Sequence, residues 1–302
     1  MNSAPPTPKG FRDIQPEMAK RRRELINTIA STLEEYEFVP IETPTLEFAD
    51  TLKGKYGAEE KLIYEFEDRG GRKLALRYDL TVPFARYVAT YNPPLPFRRY
   101  QVGNVFRGEN PQKGRYREFT QFDLDTVGTT DPTEDAKVVG VSIKCMRQLG
   151  LNNAIMLIND RANFKDFPVE VIRAIDKINK IGEEGVIKEL VEGGIPENQA
   201  RGSVDKIRNQ KPTENLNQIF QILKDEYKLE EGKDFSFDPS LARGLDYYTG
   251  AIFELKLDQN PDSLSVGGGG RYDNLIGMFA KKSIPAVGFS FGLDRMLEIL
   301  YS

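Results

Sequence analysis

The sequence predicts an α+β fold, in which a mainly antiparallel sheet is flanked by helices and interrupted by a helical insertion. Residues 97–107 and 117–127 alternate like two strands joined by a polar loop. Residues 161–232 are rich in Lys, Glu, Asn and Ile at helical spacing, and residues 235–291 return to strand-like sequence. Helices and strands that are segregated along the chain, instead of alternating, are typical of α+β domains.

The change in composition also predicts how the chain is divided. Breaks at Gly182, at residues 193–196 and at Pro212 separate the polar helical stretch into short pieces. We therefore expect a main domain built from residues 1–160 and 235–302, with residues 161–234 as a helical insertion domain.

The individual elements follow from periodicity and from turn residues. Apolar residues at helical spacing predict helices, and short β-branched or aromatic runs bounded by Gly and Pro predict strands. Besides the segments above, predicted helices cover residues 18–36, 81–89 and 133–149 and restart at residue 293, predicted strands cover residues 62–66, 73–78 and 151–158, and residues 38–44 are extended. Pro83 suits the first turn of its helix, whereas Pro40 and Pro44 suit an edge or an interface.

Composition excludes several kinds of chemistry. The 302-residue chain has no histidine, one cysteine (Cys145) and a net charge of −4. Catalytic triads, imidazole bases and zinc sites built from His or Cys are therefore excluded. Carboxylates, arginines, lysines, backbone groups, substrate groups or an oxygen-bound hard cation remain.

The sequence also predicts a cytoplasmic protein. No apolar run approaches the roughly 20 residues of a membrane span, and the first residues lack the apolar core of a signal peptide. A lone cysteine fits a reducing compartment.

Residues 97–127 form a candidate phosphate-binding hairpin. Strand alternation puts Phe122 and Leu124 on one face. The opposite face is unusually polar and carries Arg117, Phe119, Gln121, Asp123 and Asp125. Arg107 ends the first strand, and guanidinium groups match phosphate oxygens in a bidentate fashion. The hairpin is thus a candidate polyphosphate site, with a solvated hairpin tip as the alternative.

Basic residues are concentrated in this hairpin although the chain is acidic overall. The six basic residues within twenty positions are Arg98, Arg99, Arg107, Lys113, Arg115 and Arg117. A run of charges can equally be a solvated face.

Three further segments carry polar groups or glycines at strand ends. Residues 241–250 combine Arg243, Asp246, Tyr247 and Tyr248, which are costly to desolvate and so indicate binding, with an ordinary tyrosine-bearing strand and a solvated arginine as the alternative. The run of four glycines, residues 267–270, allows close approach of a ligand or forms a flexible turn. Residues 284–295 end in a helix start that bears Arg295, which favours anions.

These segments resemble known sequence motifs. Phe106-Arg-Gly-Glu109 with Arg117-Glu-Phe-Thr-Gln121 is similar to motif 2 of class II aminoacyl-tRNA synthetases, and Gly288–Arg295 is similar to their motif 3. The first helix with Pro44 resembles motif 1, a dimer element. Arg243-Gly-Leu-Asp-Tyr-Tyr248 and the stretch from Arg77 to Arg86 identify the chain as a member of the histidyl-tRNA synthetase family.

The resemblance implies a function, partners and a cofactor. Such an enzyme activates L-histidine with ATP to histidyl-adenylate and transfers it to the 3′ end of histidine tRNA. Mg²⁺ would bridge the β- and γ-phosphates, with no dedicated protein ligands. A homodimer and a class II fold are implied as well, with residues 1–160 and 235–302 as the two parts of the catalytic domain.

The resemblance also implies roles for individual residues. Catalysis falls to Arg107 and Arg243. ATP binding falls to Arg107, Glu109, Arg115, Phe119 and Arg295; histidine binding falls to Asp79, Thr81, Gln121, Asp125, Arg243, Tyr247 and Tyr248; contact with the tRNA acceptor end falls to Gln112, Lys113 and Arg115. An apolar isostere of histidine would leave Asp125 unpaired, which costs on the order of 10⁴-fold in selectivity, so no editing domain is expected.

The sequence departs from the family pattern at its end. Family members continue into a C-terminal α/β domain that reads the anticodon, whereas this sequence stops at Ser302. We expect a catalytic core, with impaired charging of tRNA, or a paralogue. The alternative function is that of a catalytically inactive, synthetase-like regulatory subunit of ATP phosphoribosyltransferase in histidine biosynthesis. A tRNA-sensing domain of a larger kinase is a further alternative.

Overall fold

The computed structural model describes residues 5–111, 114–242, 247–258 and 265–301. The chain forms two compact units. The first unit comprises Met1–Asp125, Leu275–Ser283 and Ser290–Ser302, and the second comprises Thr126–Asn274 and Ile284–Phe289.

Regular elements occupy most of the described chain. The helices are α1 (Pro16–Glu34), α2 (Ala49–Leu52), α3 (Thr81–Tyr91), α4 (Pro132–Gln148), α5 (Val169–Ile175), α6 (Ile178–Glu192), α7 (Glu197–Arg208), α8 (Glu214–Asp225) and α9 (Leu293–Tyr301). The strands are β1 (Val39–Pro40), β2 (Leu46–Phe48), β3 (Glu65–Glu67), β4 (Lys73–Leu76), β5 (Phe97–Phe106), β6 (Glu118–Val127), β7 (Ile155–Asp160), β8 (Phe235–Phe237), β9 (Ala251–Lys256), β10 (Ser265–Arg271) and β11 (Ala286–Gly292). Three short 3-10 helices are Gly57–Leu62, Arg161–Phe164 and Ile276–Met278.

The main sheet has the strand order β1-β5-β6-β11-β10-β9-β7-β8. Strands β1 and β5, most of β6 and the end of β11 belong to the first unit; the start of β11 and the last four strands belong to the second. The pairs β1–β5 and β7–β8 are parallel, whereas β9 pairs antiparallel with both β7 and β10. The sheet is therefore mixed, and the predicted α+β class with flanking helices is confirmed.

The first unit adds a small antiparallel sheet in the order β2-β4-β3. Its core is built where the sequence predicted it: α1 buries Leu25, Ile29 and Leu33 at helical spacing. Strand β6 buries Phe122 and Leu124. The hairpin face opposite to these two residues is the one that carries the candidate site.

Two predicted strands begin later than expected. Residues 57–62 form a 3-10 helix, so the strand predicted to start at residue 62 starts at Glu65. Gly150, with φ +78°, ends helix α4 in the left-handed conformation. The chain then turns, with the Ala154 N–H donating to the Leu151 carbonyl at 3.3 Å, before β7 begins.

Helices α5 to α8 lie in the second unit and occupy the stretch predicted as an insertion, whose boundaries at residues 161 and 234 stay a prediction. The four glycines at 267–270 lie inside β10, so the flexible-turn interpretation is wrong. A Cβ at Gly269 would come within 2.1 Å of the Gly288 carbonyl oxygen, which shows that the glycine permits close approach of β11.

Across the parts of the chain that are described, no helix has the length and apolar character needed to cross a membrane.

Candidate active site

Arg107 is held at the end of β5 by three residues of the first unit. Its backbone N–H donates to the Arg117 carbonyl at 2.9 Å, and its Nε donates to the Tyr78 carbonyl at 3.2 Å. The guanidinium carbon lies 4.3 Å from the centre of the Tyr78 ring and 5.0 Å from that of Phe119. Aromatic faces attract a guanidinium and fix its plane. Within the described chain only Nε makes a hydrogen bond, so both terminal amino groups are available to an anionic ligand.

Tyr78 is itself fixed. Its hydroxyl donates to Glu59 at 2.8 Å, and burial raises the pKa of the phenol well above its usual range. The ring therefore stays a neutral platform for Arg107 at any working pH.

Glu109 and Arg115, both predicted ATP contacts, pair with each other through Oε2 and Nε. The Arg115 side chain is 57% exposed and that of Glu109 is 12% exposed. Solvent thus reaches the pair from its Arg115 side, whereas the Glu109 carboxylate is largely covered.

Asp79 caps helix α3. Its Oδ1 accepts from the Val82 N–H and from the Tyr56 hydroxyl, each at 3.0 Å. Burial raises the pKa of Asp79, and these donors act in the opposite direction by stabilising the carboxylate. Much of its hydrogen-bonding capacity is thus used inside the protein, next to Thr81 at the start of the helix.

Gln121 and Asp123 project from the same face of β6 and share one partner. Gln121 Nε2 donates to Ser290 Oγ at 2.8 Å, and the Ser290 hydroxyl is hydrogen-bonded to Asp123. Asp123 is only 2% exposed, and burial raises its pKa to about 7. Gln121 Oε1 and Asp123 Oδ1 are buried without a hydrogen-bond partner in the described structure.

Asp125 forms an ion pair with Arg99, whose Nη2 lies 2.6 Å from Oδ2. Both side chains are buried, and Arg99 also stacks 4.2 Å over the Phe84 ring. The argument that an apolar ligand would leave Asp125 unpaired is therefore wrong, because Arg99 already neutralises it. The predicted contact between Asp125 and histidine stays a prediction.

Arg99 is the residue that sequence reasoning missed, since it was only one member of a basic cluster. The cluster is in fact dispersed: Arg98 pairs with Glu37 at 3.2 Å, and Arg117 Nε donates to the Glu109 carbonyl at 2.9 Å. The one available signal was that Arg99 falls inside a predicted strand, where charged side chains are rarely left without a partner.

Arg295 lies in the first turn of α9, and its neighbour Asp294 fixes that turn. Asp294 Oδ2 accepts from the Thr120 N–H at 2.6 Å, and Oδ1 pairs with Arg12 and lies 3.7 Å from Arg22 Nη1. Strand β6 and the start of α9 are thereby locked together within the first unit.

In the second unit, three tyrosines form an aromatic cluster. The Tyr247 ring centre lies 4.9 Å from that of Tyr248 and 6.0 Å from that of Tyr272, both edge-on. Gly270 makes room for Tyr248, since a Cβ there would lie 2.9 Å from the ring. The predicted site residues Arg243, Gln112 and Lys113 lie outside the described residues.

The structure brings most predicted contacts together in the first unit. Those it describes there are Asp79, Thr81, Arg107, Glu109, Arg115, Phe119, Gln121, Asp125 and Arg295. As far as the chain is described, no group of three or more acidic or cysteine side chains is placed to hold a metal ion.

The fold and these contacts define a class II aminoacyl-tRNA synthetase: a long hairpin presents a clamped arginine and an aromatic, and β11 leads into the helix that bears Arg295. A family model described as histidyl-tRNA synthetase matches residues 10–166 and 186–296. The chain belongs to the histidyl-tRNA synthetase family. The predicted enzyme type, an ATP-dependent histidine–tRNA ligase, is thereby confirmed.

Individual relatives agree with this assignment. The chain is 43% identical to histidine–tRNA ligase of Aeropyrum pernix, over 97% of this chain and 74% of that protein. A crystal structure of histidyl-tRNA synthetase from Nostoc sp. PCC 7120 matches with a TM-score of 0.83 at 28% identity and covers 98% of this chain and 75% of that one.

A third likeness concerns the fold alone. A structure titled as an ATP phosphoribosyltransferase regulatory subunit/histidyl-tRNA synthetase from Bacillus halodurans C matches with a TM-score of 0.80 at 23% identity. It covers 98% of this chain and 83% of that one.

Proposed function

We propose that this chain activates L-histidine with ATP, releasing pyrophosphate, and transfers the histidyl group to the 3′ end of histidine tRNA. The family supports aminoacylation in general, and the observation that carries the specific proposal is the way Arg107 is held. Its guanidinium is clamped between Tyr78 and Phe119 with both terminal amino groups available. Such a preorganised cation suits the charge that develops when a carboxylate attacks a phosphorus.

In the activation step a histidine carboxylate oxygen bonds to the α-phosphorus while the bond to the pyrophosphate oxygen breaks. Arg107 would hold both anions, and Arg243 would act at the reacting phosphorus from the opposite side. Positioning and cationic stabilisation then supply the catalysis, and no protein nucleophile is needed. This agrees with a chain that has no histidine.

The remaining ATP contacts follow the family motifs. Glu109 and Phe119 would position and stack the adenine, Arg295 would hold the nucleotide from the other side, and Arg115 would reach the terminal phosphates once its pair with Glu109 opens. Mg²⁺ would enter with ATP as part of the substrate, held by phosphate oxygens, because it keeps few protein ligands in such sites.

For histidine, Asp79, Thr81 and Gln121 would receive the ammonium group, and Asp125 and Tyr248 would contact the imidazole beside Tyr247. The Gln112, Lys113 and Arg115 loop would meet the acceptor end of the tRNA. The assignments of Gln121 and Asp125 are supported by the buried polar atoms of these two side chains in the first unit.

The alternative is an inactive regulatory subunit of ATP phosphoribosyltransferase. The likeness that mentions such a subunit is one of fold only. The chain keeps Arg107, Glu109, Arg115, Arg243 and Arg295 together, and Arg107 lies between two aromatic rings, which supports the enzyme.

We further propose a cytoplasmic homodimer. Motif 1 lies in the first unit, where Val39, Leu46, Phe48 and Phe66 are exposed. Apolar surface of this kind is typical of a self-complementary interface. Light scattering at micromolar concentration tests it, and a monomer would contradict it.

Histidine-dependent exchange of pyrophosphate into ATP tests the proposed reaction. We expect exchange with L-histidine, and a loss of roughly 10²–10³-fold in Arg107→Ala and in Arg243→Ala. Arg98→Ala is the matched control, since Arg98 lies in the same strand but pairs with Glu37. No exchange above background would favour the regulatory subunit.

A further inference from the structure

Arg12 lies just before α1, and its side chain contacts two parts of the first unit that are far apart in the sequence. Its guanidinium carbon lies 3.7 Å from the centre of the Tyr116 ring. Tyr116 belongs to the β5–β6 loop (residues 107–117), of which residues 107–111 and 114–117 are described. The same guanidinium pairs with Asp294 and, at 3.5 Å, with Glu298, both on α9. One side chain therefore joins this loop to this helix.

The Tyr116 hydroxyl adds a further contact between the β5–β6 loop and α9. It donates to Glu298 at 2.7 Å. Asp294 and Glu298 are four positions apart and lie on the same face of the helix, so one guanidinium reaches both. An arginine suits this place because its planar group stacks on an aromatic ring while its nitrogens donate to carboxylates.

The segment that carries Arg12 is itself fixed on the base of the loop. The Arg117 N–H donates to the Gly10 carbonyl at 2.8 Å, and the Arg117 carbonyl accepts from the Arg107 N–H at 2.9 Å. Gly10 has φ +87°, and a Cβ there would lie 2.8 Å from the Arg117 side chain. Glycine permits both this backbone conformation and this close approach. The position of Arg12 is therefore defined relative to Arg107.

Both contacts of Arg12 are next to residues that have a proposed role in ATP binding. Tyr116 directly follows Arg115, and Asp294 directly precedes Arg295. A ligand that has to order a loop and a helix end loses part of its binding free energy, and contacts that order them beforehand reduce this cost. Arg12 can thus act on ATP through its neighbours.

We propose that Arg12 is a positioning residue for the ATP site, which holds the loop that bears Arg115 and the helix start that bears Arg295 in the arrangement that the nucleotide requires. This inference rests on the proposed function, to which both ATP contacts belong. The contacts of Arg12 in the described structure are with the β5–β6 loop and α9. The proposed amino acid contacts on β6 and α3 are therefore outside its direct influence.

Calorimetry with ATP and with L-histidine, together with pyrophosphate exchange, distinguishes this role from a general structural one. We expect Arg12→Ala to weaken ATP binding and to raise KM for ATP by roughly 5- to 30-fold, as for residues that act on a site through others. Binding of L-histidine should change by less than about threefold, and so should kcat at saturating ATP, because the aromatic clamp on Arg107 remains.

A conservative variant and a matched control sharpen the test. Arg12→Lys keeps a charge beside Asp294 but lacks the planar group that stacks on Tyr116, so it should recover part of the ATP affinity that Arg12→Ala loses. Arg21→Ala is the control. Arg21 also stacks on a ring of α9, that of Tyr301 at 4.5 Å, but in the described structure it does not contact the β5–β6 loop. It should leave both affinities within about twofold.

A second variant separates the proposal from a failure to fold. Arg12→Ala leaves Asp294 beside Arg22, whose Nη1 lies 3.7 Å away, so α9 keeps a cationic partner there. Tyr116→Leu removes the ring and its hydroxyl while Arg12 keeps its pair with Asp294. This variant should weaken ATP binding by roughly 3- to 10-fold. Melting curves check that both variants are folded.

Unchanged ATP affinity in either folded variant, or equal weakening of ATP and L-histidine, would overturn the positioning role alone. Absence of ATP binding and of exchange in the unsubstituted chain would overturn the proposed function and the positioning role with it, so the two failures are distinguishable.

Discussion

Arg99 in the first unit and Arg271 in the second are both buried beside carboxylates, and the two are satisfied to very different degrees. In the second unit, Arg271 donates from Nε and Nη2 to Asp135, and from Nη1 to the Thr129 carbonyl at 3.0 Å and to Asp273 at 3.2 Å. Every nitrogen of its side chain has a partner. In the first unit, Arg99 reaches Asp125 and, at 3.4 Å, the Leu80 carbonyl through Nη2 alone.

The remaining nitrogens of Arg99, Nε and Nη1, are buried without a hydrogen-bond partner in the described structure. The guanidinium stacks instead on Phe84, which is a weaker compensation. A fully satisfied buried ion pair holds a fold together, whereas an unsatisfied polar group marks a place where a ligand completes the network. The contrast separates a structural cluster in the second unit from a binding cluster in the first.

The largest effect is expected from Asp135→Asn. Removing the carboxylate leaves Arg271 buried with only Asp273 as an anionic partner, and breaking such a pair costs about 3–5 kcal/mol. Urea unfolding followed by circular dichroism gives the free energy of unfolding. A loss below about 1 kcal/mol would place Arg271 with the weak surface pairs and remove the contrast.

The sequence predicted the hairpin well, and for a physical reason. Alternation with period two places Gln121, Asp123 and Asp125 on one face, and all three carry the site's polar atoms. Alternation does not give depth, so it did not show that Arg99 and Asp125 are both buried. Arg99 and Asp125 lie 26 positions apart in the sequence. Their pairing depends on how β5 and β6 lie against each other, and tertiary packing sets that arrangement.

The four glycines at 267–270 also show what a sequence pattern leaves undetermined. Gly269 was open to two interpretations, close approach of a ligand or a flexible turn, because glycine suits both. Only the distance to the Gly288 carbonyl shows that a strand contact requires it. The way Asp294 fixes the first turn of α9 likewise depends on partners far away in the sequence, namely Arg12 and Thr120.

The second prediction uses pH to test whether Asp123 is an unsatisfied carboxylate. The usual pKa of this carboxyl is near 3.8, and in the folded protein burial, together with the facing carboxylates Asp125 and Asp79, raises the pKa to about 7 against the opposing effects of Arg99, Arg77 and the Ser290 hydrogen bond. The folded state therefore binds more protons in that window, and its stability falls as pH rises from about 4 to 7.

The decrease amounts to up to about 4 kcal/mol, at 1.36 kcal/mol per pKa unit. Denaturant unfolding at several pH values, compared with Asp123→Asn, isolates the contribution of this residue. The variant should show a flatter pH profile, and identical profiles would mean that Asp123 is ionised in the folded protein throughout.

The third prediction concerns Asp125→Asn, the counterpart of Asp135→Asn. Arg99 loses its direct partner, but loss of the Asp125 charge also lets the neighbouring Asp123 ionise more readily and balance Arg99, so we expect a cost of about 1–2 kcal/mol instead of 3–5. The same variant should weaken L-histidine binding more than ATP binding, which calorimetry on each ligand measures. An equal loss of stability in Asp125→Asn and Asp135→Asn would show that both arginines are structural.

The smallest effect is expected from Tyr56→Phe. This variant tests whether Asp79, a carboxylate that is hydrogen-bonded within the protein, contributes to stability as Arg271 does. Asp79 would lose one donor and keep the Val82 N–H, and the ring contact of residue 56 with Tyr78 at 4.7 Å would remain. The loss of one hydrogen bond costs about 1 kcal/mol of stability.

Affinity for L-histidine should change by less than about threefold in Tyr56→Phe, because the Val82 N–H still holds the Asp79 carboxylate at the start of α3. Unfolding and calorimetry on one preparation give both numbers. A fall in affinity of roughly tenfold with little loss of stability would mean that Tyr56 orients Asp79 for the substrate. Tyr56 would then be a positioning residue for the amino acid site, and its hydrogen bond to Asp79 would serve binding more than stability.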